Sequence, residues 1–208
     1  MSVFMNTAPS KIKTKRSPII PFETSALFVI DMQRFFCDST SHAYVKSAKK
    51  IINNIQQMIS AYRNHSLPII FTRYALLHTD SPGAMGRWWN DVLYDDNELT
   101  EIITPLHPLP SELVVRKTQY SAFFGTDLDQ ILKKHKVTTV LITGVLTHLC
   151  CETTARDAFM RNYDVFFITD ATASDKQGLH KASLRTLSDG FATLMTTNEV
   201  VSWIKKMK

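Results

Sequence analysis

Residues 25–31 read Ser-Ala-Leu-Phe-Val-Ile-Asp, and this stretch decides the fold. Its interior is continuously apolar, with no polar residue in alternation. That pattern marks a strand buried on both faces, as in a parallel sheet, rather than one that faces water on one side. The run stops on a carboxylate, Asp31. Outward from it the same kind of segment recurs at residues 69–72, just after Pro68, and at 113–116, 138–143 (TTVLIT), 165–169 and 192–195. Longer helical patterns lie between these runs. Residues 42–64 place Val45, Ala48, Ile51, Ile52, Ile55, Met58, Ile59 and Tyr62 on one stripe. Helices are also expected at 127–134, 150–162, 176–188 and 199–206. Residues 78–98 read as irregular, with Pro82, Gly83 and Gly86 ahead of Trp88 and Trp89. Short buried strands alternating with helices predict a three-layer α/β domain: a mostly parallel sheet of about six strands, helices on both faces, and right-handed crossovers.

Composition fits this reading. The chain has 208 residues, 44% hydrophobic and 21% charged, enough to bury a core without disulfides or a structural metal. Disordered, collagenous and disulfide-framework classes are excluded. The net charge of +5 comes largely from the ends: Lys11, Lys13, Lys15 and Arg16 near the start, and Lys205, Lys206 and Lys208 at the close. Residues 1–22 read as a basic, poorly ordered tail and 23–208 as one domain. The interior has no basic stripe interleaved with aromatics, so no nucleic-acid partner is expected. No apolar run approaches the roughly 20 residues of a membrane span, and residues 1–21 contain no signal-peptide core. Three cysteines, Cys37, Cys150 and Cys151, are an odd number. This suits a reducing, cytoplasmic setting in which a thiol is kept for packing or for reactivity.

In open parallel sheets ligands bind beyond the carboxyl ends of the strands. The residues standing there are Asp31, Met32 and Gln33; Arg73 and Tyr74; Arg116 and Lys117; Gly144 with Thr147, His148 and Cys150; and Asp170. Asp31, Lys117 and Cys150 form a chemical set of base, positive charge and nucleophile, the minimum for covalent hydrolysis. Cys150 opens a helix, where backbone N–H groups favour a thiolate. Taken alone, the same residues also suit a strand-end cap, a solvated lysine and a small buried hydrophobe.

Four segments carry a resemblance: FVIDMQRFF (28–36), VVRKTQYSAFFGTDLDQIL (114–132), GVLTHLCCETTARDAF (144–159) and ITDATAS (168–174). In order and spacing they resemble the isochorismatase-like hydrolases, a superfamily of nicotinamidases, N-carbamoylsarcosine and ureidoacrylate amidases, and isochorismatases. The resemblance spans residues 25–203. It implies a Rossmann-like sheet and a catalytic triad of Asp31, Lys117 and Cys150. It also implies a cis peptide between Val145 and Leu146, with the N–H groups of Leu146 and Cys150 forming an oxyanion hole. Homo-oligomers are common in the family, so one is expected here.

The family pattern Gly-Val-x-Thr-x-x-Cys sets the register on Cys150. Neighbours on a helix point about 100° apart, which turns Cys151 toward the core or sheet. Cys37 reads as a bystander in a polar loop. Isochorismatases resemble the chain at YSAFF and at His148 but typically carry Tyr at the Leu146 position and a small residue at the Cys150 position. The thiol therefore favours cleavage of a C–N bond in a small amide or ureide through a thioester. Vinyl-ether hydrolysis with Asp31 as acid, or a non-enzymatic binding or redox module, are the alternatives. Nicotinamidases carry a metal-binding Asp-x-His after strand two. This chain reads FTRYALLHTD there, so neither a metal nor any other cofactor is expected. Gln33, Phe36, Arg73, Trp88, Trp89, Tyr120, Phe124 and His148 are candidate substrate contacts, with Arg73 or Arg87 available to grip a carboxylate.

Overall fold

A computed structural model describes residues 21–206. The expected basic tail lies outside the described residues up to position 20. Of its last two residues, Phe22 is 3% exposed and packs in the core, so the domain begins earlier than its charge pattern implied. The strands are β1 (Ser25–Ile30), β2 (Ile69–Tyr74), β3 (Leu113–Lys117), β4 (Thr139–Val145), β5 (Asp164–Ala173) and β6 (Thr193–Met195). The helices are α1 (Arg34–Cys37), α2 (Ala48–Asn64), α3 (Gly83–Trp89), α4 (Leu128–Lys134), α5 (Glu152–Met160), α6 (Gln177–Gly190) and α7 (Thr197–Ile204). All neighbouring strands are parallel, in the order β3-β2-β1-β4-β5-β6. Helices α2 and α7 cover one face, with Ile51, Ile55, Met58, Val200 and Ile204 in its core. Helices α4, α5 and α6 cover the other through Leu128, Leu132, Ala155, Ala158 and Leu187. No described helix is long and apolar enough to cross a membrane.

The strand order reverses direction between β1 and β4, the switch point at which such sheets bind ligands. Gly144 is essential to the seam. It pairs with Ile30, holds φ at +110°, and a Cβ there would stand 2.0 Å from the Ile30 carbonyl oxygen.

Three elements depart from expectation. Helix α2 starts at Ala48 rather than 42, because residues 42–47 instead fold as turns that carry Val45 into the core. Strand β5 runs past Asp170 to Ala173: its pairing with β4 breaks and resumes, Ile142 facing Phe167 and Gly144 facing Thr172. Asp170 lies on that excursion and accepts hydrogen bonds from the Thr197 N–H and hydroxyl, so it anchors the start of α7 instead of serving the site. Helix α3 occupies the stretch read as irregular; its glycines lower helix propensity, but Gly86 is required because a Cβ would come 2.5 Å from that of Pro82.

Candidate active site

Three strand ends converge at the switch point. Asp31 follows β1 and adopts φ +47°, a left-handed conformation that non-glycine residues rarely hold and that clusters at functional sites. Lys117 is the last residue of β3. Cys150 lies in a wide π-type turn, Thr147–Cys151, that runs directly into α5. The helical path is thus entered three residues earlier than the expected 150, and Cys150 stands inside its first turn rather than at its tip.

Lys117 Nζ joins the three. It is 2.7 Å from Asp31 Oδ2 and donates to Cys150 Sγ at 3.4 Å and to the Gln119 carbonyl at 2.9 Å. Asp31 and Lys117 have side chains wholly removed from solvent. Thr72, a hydroxyl inside β2, donates to Asp31 Oδ1 at 2.6 Å and accepts from the Asp31 N–H at 3.1 Å, which fixes the carboxylate. Its other oxygen, Oδ2, faces the Lys117 ammonium, which Cys150 Sγ shares. A buried carboxylate held beside a thiol is placed to take its proton.

Burial dominates the electrostatics. It pushes the Cys150 thiol up to about 12; Lys117 pulls it down, while Asp31 raises it further by charge and hydrogen bonding. Burial also opposes the charge on Lys117, but the facing Asp31 and Cys150 outweigh it and hold the ammonium above its ordinary value. Burial thus holds the Cys150 thiol against ionisation, opposing the thiolate that a helix start and a lysine favour. The sign gives a direct test. Below its pKa a thiol exposes ten times more thiolate per pH unit, so iodoacetamide alkylation of Cys150 should accelerate about tenfold per unit from pH 7 to 9. A flat profile would show a thiolate already formed.

The other cysteines are separated from this chemistry. Cys151 is 0% exposed, points Sγ toward the Thr143 carbonyl at 3.9 Å, and has its pKa raised well above normal by burial. Cys37 closes α1 and is buried in the core, not placed in a polar loop.

Cys150 borders a cavity of about 620 Å³, within the usual range for small-molecule sites. Phe36, Trp89, Tyr120, Leu146 and His148 line it. The Trp89 indole N–H donates to the Tyr120 hydroxyl at 2.8 Å, tying α3 to the segment after β3. His148 Nδ1 is 2.8 Å from the Ser174 hydroxyl, and burial lowers its pKa. The Val145–Leu146 peptide is cis.

The remaining candidates lie elsewhere. Gln33 is fully buried and spends its amide on Tyr74 and Thr100 backbone groups, bridging two segments. Arg73 is paired with Asp95 at 2.7 Å. Trp88 and Phe124 are 79% and 61% exposed and do not border the cavity; neither does Arg87. Tyr74, at the end of β2, lines the wall; Phe35, His42, Met85, Asp91 and Leu179 line it without having been singled out as contacts, and Thr72 was missed as the anchor of Asp31. A hydroxyl at the end of the buried run IIFT was the available signal for Thr72. Among the described residues no three His, Cys, Asp or Glu side chains are grouped to hold a metal ion, and His78 instead faces Asp96 at 3.1 Å.

Comparison with known proteins adds to this geometry. A family model for the isochorismatase domain matches residues 25–199. Nicotinamidase 3 of Arabidopsis thaliana is 41% identical over 180 residues, covering 85% of this chain and 86% of that protein. A cysteine hydrolase from Pseudomonas syringae pv. phaseolicola 1448A superposes with a TM-score of 0.86 at 33% identity, covering 91% and 96% of the two chains. The N-carbamoylsarcosine amidase from Thermoplasma acidophilum gives 0.75 at 26% identity, covering 84% and 97%.

Proposed function

The chain belongs to the isochorismatase family of hydrolases, and we propose that within it the protein cleaves the C–N bond of a small amide or ureide through a thioester on Cys150. The observation that carries this reading is the single ammonium of Lys117 in contact with both Asp31 and Cys150 beside the cavity. Resemblance to a cysteine hydrolase and an amidase supports it.

The steps follow from this arrangement. As Sγ attacks the carbonyl carbon, Asp31 takes the thiol proton, and the S–C bond forms. The N–H groups of Leu146 and Cys150 receive the developing oxyanion; such donors supply about 3 kcal/mol each. Asp31 then passes the proton to the leaving nitrogen, and the C–N bond breaks. A water attacks the thioester, gives a proton to Asp31, and the carboxylic acid product departs as the thiol re-forms. Lys117 stays protonated throughout and offsets whichever partner is anionic.

A panel of nicotinamide, benzamide, ureides and isochorismate, read for ammonia and for pyruvate, tests the assignment. Nicotinamide belongs in it because of the 41% identity to Nicotinamidase 3, although the Asp-x-His that argued for a metal is absent. Ammonia from an amide or ureide, with an acyl adduct on Cys150 by mass spectrometry, is expected. Pyruvate alone would replace this reading with the vinyl-ether one.

The protein is further proposed to act as a homo-oligomer, in a reducing cytoplasm that suits its three buried, unpaired cysteines. Exposed Trp88 and Phe124 sit on the same segments as cavity residues Trp89 and Tyr120 and supply apolar surface for such contacts. Light scattering should give more than the 23.7 kDa of one chain; a monomer at micromolar concentration would defeat the idea.

A further inference from the structure

The turn Thr147–Cys151 that carries Cys150 is wider than a regular helical turn, and its own bonds converge on one acceptor. The Leu149 and Cys151 N–H groups both donate to the Leu146 carbonyl, at 3.0 and 3.2 Å. Two side-chain bonds tie the turn to the segment after β5. His148 Nδ1 meets the Ser174 hydroxyl, and Thr147 Oγ1 lies 2.9 Å from Nδ1 of His180. Ser174 is itself pinned, its carbonyl accepting from the Ser47 hydroxyl at 2.9 Å.

His180 lies in the first turn of α6, on a face that is anchored further along. His180, Ser183 and Leu187 stand three and four residues apart, the spacing of one helical face. Ser183 donates to Glu152, the first residue of α5. Leu187 is buried in the same core cluster as Ala155 and Ala158 of α5. Helix α6 is thus fixed against α5 and meets the nucleophile turn through His180.

Hydrogen accounting sets the direction of that contact. Thr147 is 0% exposed, and among the described residues its hydroxyl has no other partner. Its proton is satisfied when His180 Nδ1 accepts, which leaves the ring's own proton on Nε2. Burial, then Lys181, lower the His180 pKa, the direction that favours a ring nitrogen free to accept. Neither Thr147 nor His180 borders the cavity. We propose that His180 is a positioning residue: it accepts from Thr147 and so holds the turn that sets Cys150 Sγ against the Lys117 ammonium. For its effect on rate the inference rests on the thioester reading.

Hydrogen exchange read by mass spectrometry on the full chain tests the turn directly. His180→Leu keeps bulk and removes the acceptor. The Leu149 and Cys151 amides should then exchange about tenfold faster or more, while the interiors of β1 and β2 stay unchanged. His180→Asn offers a carbonyl oxygen near the place of Nδ1 and should restore exchange to within about threefold of wild type. On the panel compound that wild type turns over, kcat should fall about tenfold or more in His180→Leu, with KM within about twofold, and recover in His180→Asn. Thr147→Val removes the hydroxyl without stranding it, and should loosen the turn and lower kcat alike even if His180→Leu does not fold. Unchanged exchange in either variant, or no recovery in His180→Asn, would overturn the proposal. Faster exchange with kcat unchanged is resolved by Cys150→Ala. If that variant is inactive, holding the turn does not serve the reaction and the proposal fails. If it is active, the thioester reading fails and the hold on the turn stands.

Discussion

Cys150→Ala should lower turnover of an amide substrate by at least about 10⁴-fold, since the covalent route vanishes with its nucleophile. The fold should survive. Cys150 is 5% exposed beside an open cavity, so losing its sulfur removes little packing, about 1 kcal/mol, and the buried Asp31–Lys117 pair stays whole. Circular dichroism and a melting curve close to wild type would confirm that activity, not structure, was lost. Cys150→Ser should fall nearly as far, because a hydroxyl is a far weaker nucleophile in a site that already suppresses ionisation of the thiol. Near-normal activity of Cys150→Ala, with Asp31→Ala dead, would mean acid catalysis without a covalent intermediate.

Lys117→Met should damage both stability and rate. The substitution keeps the length of the side chain and deletes its charge. Asp31 then remains 0% exposed with only Thr72 for support, and stranding one member of a buried pair costs about 3–5 kcal/mol. For a chain of this size that is a fall in Tm of roughly 10 °C or more. Turnover should drop about 10³-fold even where the variant is folded, since nothing then balances the anion as the proton leaves Cys150. A Lys117→Met protein as stable as wild type at pH 7 would show that the ion pair is not the structural centre described here.

Much of this was legible in the chain. The run 25–31 announced β1 because burial on both faces leaves no polar alternation, and its terminal Asp31 fell at the switch point by topology alone. Lys117 and Cys150 followed from the same logic of strand ends, with the register of Cys150 fixed by a motif. What escaped was built from main-chain geometry or paired side chains. The extension of β5 to Ala173 is held by backbone pairing that an apolar pattern does not report. Gln33 looked like a ligand contact because its sequence position beside Asp31 is right. Its burial and its amide bonds to two distant segments exist only once those segments meet. Helix α1 spans only Arg34–Cys37, too few residues to show a period. The burial that opposes ionisation of the thiol escaped for a related reason. A helix start and a lysine are visible in sequence, whereas complete desolvation is a property of the assembled core.

The seam between β1 and β4 also has a kinetic meaning. Asp31 and Lys117 come from the β3-β2-β1 half of the sheet, and Cys150 from the end of β4. Neither half alone encloses the thiol. During refolding, pulse alkylation of Cys150 should stay as fast as in an unfolded chain until these halves dock, then slow abruptly. Cys37, which belongs to the first half, and Cys151, which belongs to the second, give internal clocks for the two sides. The nucleophile thereby doubles as a native reporter on the docking of the two halves.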